Sequence, residues 1–208
     1  MNKNSNLKVK SSYHIDKLFP DTLYVTNNVC DDLLLPLEES AKKVAKEKKT
    51  HRFSNFWVDS TALTAGGEIK NISPFDKLTE YIEYHCLNYL KELGYFNKEI
   101  EINTMWFNIS NEGDFLFPHS HPGCFLSGVY YVKCPPDAII QFYNSTRLTS
   151  NILEADTQNN PLSQTMVNYR CNPGSMIIWM SNLLHSNPRQ MVAGEKIAVS
   201  FNIDIIKK

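Results

Sequence analysis

The segment Pro118-His119-Ser120-His121-Pro122 carries two histidines one residue apart. In an extended strand, residues i and i+2 point to the same face. His119 and His121 are therefore expected to aim two imidazoles at one point. Imidazole is the commonest nitrogen ligand for Fe, Zn, Cu or Ni. Such a pair also occurs on solvated faces, so a metal centre calls for a third donor. His185 is the candidate, 64 residues after His121 and just beyond the apolar run Met176-Ile177-Ile178-Trp179-Met180. Read alone it is a polar loop residue. In a β-sandwich, two ligands from one strand and a third from a distant strand can converge in the mouth between sheets.

A second kind of chemistry sits near the C-terminus. Strand alternation puts Lys196, Ala198, Ser200 and Asn202 on one face and Ile197, Val199, Phe201 and Ile203 on the other. If the small polar face lines a cavity, Lys196 becomes a clamp for an anionic ligand, because a buried unpaired lysine is costly. A lysine at a strand end reaching solvent is the competing reading. In Phe125–Val132, Ser127, Val129 and Tyr131 share a face, and the Tyr131 hydroxyl is a candidate donor to a carboxylate of the same ligand.

These side chains need elements to position them. Leu23-Tyr24-Val25 reads as a short strand. A helix is expected from Asp31-Asp32 through Ala45, with Pro36 tolerated near its start, and a second over Phe75–Leu93, closed by Gly94 as C-cap. The lysines between Lys42 and Lys49 read as a solvated helix face, and His85 as a structural residue of the second helix. Residues 1–13 read as a frayed arm and 50–75 as loop. From residue 100 the period changes to two, with strands expected at 100–109, 115–121, 124–133, 138–143, 165–170, 175–180 and 196–206. Closely spaced strands broken by turns predict an antiparallel sandwich or barrel. The Ser/Thr/Asn-rich stretch 144–164 is long for a plain connection and reads as a lid. With Trp106 and Asn108 it is a candidate for the pocket wall. One domain is expected, residues 1–99 buttressing a β core at 100–208.

Composition removes several classes of function. The chain has 208 residues, 42% hydrophobic, 12% aromatic and 21% charged, which is ordinary for a globular protein. Its 21 Lys+Arg nearly cancel its 22 Asp+Glu, so no nucleic acid or anionic membrane is indicated. The polar start has no apolar run behind it, and no stretch approaches the ~20 apolar residues of a membrane span. The five cysteines are scattered, without a C-x-x-C pair, so reduced thiols in a cytoplasm are expected.

The order of Trp106-Phe107-Asn108, Gly113-Asp114, His119-Ser120-His121-Pro122, Leu126–Val132, Pro173-Gly174-Ser175, His185 and Lys196–Asn202 resembles the 2-oxoglutarate/Fe(II) oxygenases of bacteria and their phages, and more distantly the prolyl hydroxylases. The resemblance covers about residues 100–206. It implies a mainly β fold with N-terminal helices (α+β) around a double-stranded β-helix, or jelly-roll, core. It implies His119 and His185 as iron ligands, with 2-oxoglutarate chelating the iron as cosubstrate. It puts the far carboxylate on a basic residue of the last strand, here Lys196 where many relatives carry arginine, with Tyr131 beside it. Asn108 and Ser127 join them as candidate cosubstrate contacts. Lysine pairs with a carboxylate but lacks the bidentate fork.

One departure stands out. The wider superfamily has a carboxylate two residues after its first histidine, and this chain has His121. A 2-His-1-carboxylate set is the usual non-haem iron arrangement. Three neutral histidines leave the ferrous centre one unit more positive and also suit zinc. Glu112 and Asp114 are alternative donors. The expected function is an Fe(II)/2-oxoglutarate-dependent dioxygenase that hydroxylates an unidentified prime substrate with O2, His119, His121 and His185 holding the metal. A non-catalytic jelly-roll module for a metal or anion and a zinc hydrolase are the alternatives. Oligomeric state is not legible.

Overall fold

The computed structural model describes residues 20–47, 63–65, 69–144 and 164–206. The period-2 runs become β3 (Ile100–Ser110), β4 (Leu116–His119), β5 (Leu126–Lys133), β6 (Ile139–Tyr143), β7 (Met166–Arg170), β8 (Met176–Met180) and β10 (Lys196–Ile205). The run at 23–25 is β1 (Leu23–Thr26). Two further strands are β2 (Leu63–Ala65), inside the expected loop 50–75, and β9 (His185–Asn187). Each is three residues long, too short to display a period. Pairing makes them strands, β2 against β3 and β9 between β4 and β6. The expected arm at 1–13, the end of the lysine run and the core of the 144–164 stretch lie outside the described residues.

The strands form two antiparallel sheets. The larger has the order β1-β8-β5-β10-β3-β2 and the smaller β4-β9-β6-β7. Helix α1 (Leu34–Glu47) follows a 3-10 turn at Asp31–Leu33, with Pro36 in its first turn, where no intrahelical N–H bond is lost. Helix α2 (Phe75–Glu92) ends as its glycine predicts. Gly94 takes φ 85°, its N–H reaches the Lys91 carbonyl at 3.0 Å, and the Tyr95 N–H reaches Leu90 at 2.8 Å. That pair of bonds is a Schellman motif. His85 on α2 is bonded to the Tyr24 hydroxyl at 3.0 Å.

The large sheet is buried on both faces, for two different reasons. On one face, Ile197, Val199, Phe201 and Ile203 of β10 pack with Tyr130, Ile178 and the buried sides of α1 and α2 (Leu37, Ala41, Leu78, Ile82). On the other face, Val129, Tyr131, Ile177, Trp179 and Ala198 meet Ile140 and Phe142 of the small sheet. The alternation read from Lys196–Ile203 thus divides a helix-side core from a space between sheets. That packing is a jelly roll with its helices on the outer face of the large sheet, as the sequence predicts.

Candidate metal centre and its cavity

A cavity of about 420 Å³ opens between the two sheets. Its wall includes all three candidate histidines together with Lys196, Tyr131, Asn108 and Trp106. The ring-nitrogen donors of His119, His121 and His185 all lie within 4.8 Å of one another. The Nε2 atoms of His121 and His185 are 3.3 Å apart. Two nitrogens bound about 2.1 Å from one ion sit about 3.0 Å apart at a right angle and about 3.4 Å apart at the tetrahedral angle. The spacing therefore fits two ligands of a single ion.

The route to this convergence differs from the one expected. Strand β4 ends at His119, so His119 and His121 are not alternate residues of one strand. His121 lies in the following turn, where its N–H is held by the Ser181 carbonyl at 2.9 Å. In the ladder, Leu116 faces Asn187 and His119 faces His185, so two residues on β4 (Phe117 and Pro118) oppose one on β9 (Ser186). The extra residue is a bulge at Phe117-Pro118, on an edge strand where a proline costs no ladder bond. The bulge turns His119, rather than Pro118, towards His185.

Local bonds fix the tautomers. His119 Nδ1 lies 2.8 Å from the Phe117 carbonyl and His185 Nδ1 2.9 Å from the Leu183 carbonyl. A carbonyl only accepts, so each Nδ1 carries the proton and each Nε2 keeps its lone pair for the centre. Metal-binding histidines are oriented by such outer bonds. Burial, with the neighbouring imidazoles, pushes His121 down to about 4 and His185 to about 3, and burial holds His119 below its ordinary value. The three rings are thus kept neutral, the form that binds a metal. Neither Glu112 nor Asp114 joins the cluster: Asp114 accepts the Asn111 N–H at 2.8 Å, and Glu112 is exposed.

Lys196 is buried at 8% exposure. Among the described residues its Nζ makes one hydrogen bond, to Asn187 Oδ1 at 3.2 Å. An ammonium has three N–H donors. Burial pulls its pKa below the ordinary lysine value, while the Cys171 and Cys134 thiols and the carboxylates of Asp114 and Asp137 act in the opposite sense. Tyr131 is 1% exposed, and among the described residues its hydroxyl finds no oxygen or nitrogen partner, only the adjacent Cys171 thiol. A buried cation with spare donors on the same cavity wall as a buried hydroxyl has the chemistry to hold a carboxylate.

Ser127 is not on the cavity wall. Its hydroxyl donates to Asn202 Oδ1 at 2.8 Å and accepts from the Ser181 hydroxyl at 2.8 Å, and Asn202 donates onward to Thr104 at 2.9 Å. This relay braces the Ser181 segment that holds His121. Trp179 and Asn187 are among the wall residues that escaped the sequence reading. Trp179 packs edge-on to His185, ring centroids 4.7 Å apart. Asn187 stands two residues after His185, and that i+2 spacing was its available signal. Trp106 stands 5.8 Å from the His121 ring.

Residues 104–202 match the family described as "Putative 2OG-Fe(II) oxygenase". None of the curated proteins matches the chain. The fold is similar to a prolyl-4-hydroxylase from Pseudomonas putida, with TM-score 0.66 and 10% identity over 90% of this chain and 94% of that one. It is similar to HygX from Streptomyces hygroscopicus, solved with nickel and 2-oxoglutarate bound, with TM-score 0.61 and 10% identity over 88% of this chain and 83% of that one. It is also similar to the viral collagen prolyl hydroxylase vCPH from Paramecium Bursaria Chlorella virus-1, solved as its 2OG complex, with TM-score 0.55 and 12% identity over 87% and 94%. At these identities the likeness is one of fold. Among the described residues no helix is long and apolar enough to cross a membrane.

Proposed function

We propose, for a chain whose residues 104–202 match the 2OG-Fe(II) oxygenase family, that it hydroxylates a C–H bond of its prime substrate with His119, His121 and His185 as the iron ligands and Lys196 as the cosubstrate clamp. The observation that carries this reading is the buried Lys196 ammonium, with one hydrogen bond, on the same cavity wall as three convergent imidazoles. The donor set fits the implied metal, since three neutral imidazoles suit Fe(II). The cavity fits the implied diacid, with a metal site at one part of its wall and a cation and a free hydroxyl at another.

Bound iron and 2-oxoglutarate supply, with dioxygen, oxidising chemistry that protein side chains lack. The balance is one C–H bond, O2 and 2-oxoglutarate giving one C–OH group, succinate and CO2. The chain's own residues hold and exclude. His119 and His185 present Nε2, with their Nδ1 protons parked on backbone carbonyls. Lys196 and Tyr131 hold the far carboxylate, and their separation from the histidines orients the cosubstrate lengthwise. Val129, Ile140, Trp179 and Ala198 form an apolar wall that keeps bulk water from the reacting atoms. Asn108 and Trp106 border the side left for the prime substrate. The whole chain serves as one domain, and five free cysteines suit a reducing, cytoplasmic setting.

The test is succinate formation from 2-oxoglutarate by the purified protein with Fe(II) in air. Turnover that requires both supports the reading. An iron-loaded protein that leaves 2-oxoglutarate intact, with or without candidate substrates, would be a binding module. Zinc in the purified protein with indifference to 2-oxoglutarate would point to hydrolysis.

A further inference from the structure

Strand β9 presents two side chains to the cavity, His185 and Asn187, separated by Ser186 on the opposite face. Two residues of strand advance about 6.8 Å. One short strand therefore carries a metal-side group and, one small diacid further on, the group that holds Lys196. The acceptor chosen for Lys196 is an amide. Asn187 Oδ1 takes one of its N–H bonds at 3.2 Å and leaves its charge intact. A carboxylate at this position would take the same bond and cancel the charge. The Asn187 Oδ1 faces a donor, so its Nδ2 hydrogens point elsewhere, and the amide sits on the cavity wall.

We propose that Asn187 is a positioning residue for the cosubstrate: it fixes the Lys196 ammonium without neutralising it and donates from Nδ2 to the same far carboxylate. The consequence is selectivity. The Lys196–Asn187 pair recognises the second carboxylate and has no bearing on the 2-oxoacid end at the metal. This inference rests on the cosubstrate reading above.

The experiment is anaerobic calorimetric titration of the Fe(II)-loaded protein with 2-oxoglutarate and with 2-oxovalerate, the five-carbon 2-oxoacid lacking the far carboxylate. Three proteins are compared: parent, Asn187→Leu and Asn187→Asp. The hydrogen bond lost runs from the amide to a charged carboxylate, so Asn187→Leu is expected to weaken 2-oxoglutarate binding about ten- to a hundredfold. In Asn187→Asp the new carboxylate pairs with Lys196 and repels the ligand, and the affinity falls about ten- to a hundredfold. Affinity for 2-oxovalerate and iron content stay at the parent value in both variants. Asn187→Asp binding 2-oxoglutarate like the parent overturns the inference. So does a parallel loss of both oxoacids, which marks general damage to the site. A parent that binds neither oxoacid brings down the cosubstrate reading itself, an outcome separate from failure of the variants alone.

Discussion

His119 and His185 stand directly opposite each other across the β4–β9 ladder, their ring centroids 4.3 Å apart. The closeness is a property of the backbone register, since directly opposed residues of an antiparallel pair have neighbouring Cβ atoms. A bulge on β4 sets that register, and backbone carbonyls set the tautomers. The centre is therefore held in shape by the sheet before any ion arrives.

His119→Ala and His185→Ala are expected to lose bound iron while the fold persists. Each removes one of three donors, whereas the hydrophobic clusters on the two faces of the large sheet are left whole. His185 is buried, so its variant should also melt a few degrees lower, for a loss of about 1–2 kcal/mol. Metal analysis beside circular dichroism checks both points. Parent-like iron stoichiometry in either variant would remove that residue from the centre.

His121→Asp restores a carboxylate to the commoner triad and is expected to keep iron, with altered turnover. His121→Ala should bind iron much more weakly. The difference is measurable by Fe(II) competition against a chelator. Equal affinity in His121→Ala and parent would mean that the turn after β4 contributes no ligand.

Lys196→Met is expected to weaken 2-oxoglutarate binding about ten- to a hundredfold, the magnitude of a charge-assisted hydrogen bond of about 1.5–3 kcal/mol. Lys196→Arg should retain it. Iron content should not change, because Lys196 is not a ligand. Binding should also weaken towards alkaline pH earlier than for an ordinary lysine. Burial lowers the Lys196 pKa, the clamp needs the charged form, and that form is lost as pH rises through the lowered value. A flat titration up to pH 10 would contradict the clamp.

Iron affinity is expected to stay level between pH 7.5 and 6. An ordinary histidine takes up protons near 6.5, but His121 and His185 are pushed down to about 4 and about 3. They remain neutral until pH approaches those values. The same shift has a stability consequence for the metal-free protein. Below about pH 6.5 the unfolded chain binds protons that the folded chain refuses, so stability falls as pH drops from there towards 4 and is recovered above it. Metal titrations and thermal melts across pH 4.5–7.5 test the two statements. A tenfold loss of affinity between pH 7 and 6 would show ordinary, accessible histidines.

Side-chain pattern alone determined much of this protein. The change from period 3.6 to period 2 near residue 100 marked the helices and the strands, because burying one face leaves a periodic trace in any element of five residues or more. The split of β10 into a bulky and a small polar face made Lys196 a candidate cavity residue, against a lysine reaching solvent, and the histidine types made a metal centre a candidate. The tertiary structure decided what has no local trace. Strand β9 exists only because β4 and β6 flank it. His119 reaches the centre by a bulge and His121 by a turn, where alternation within a strand would have been the simpler route. Ser127, on the predicted face, is drawn away from the cavity into a relay with Ser181 and Asn202. Asn187 acquires a role only when Lys196, nine residues away in sequence, folds back against it. Periodicity reports which face of a strand is buried. Which neighbour fills that burial depends on pairing between segments far apart in sequence, and a single chain of letters does not encode that pairing locally.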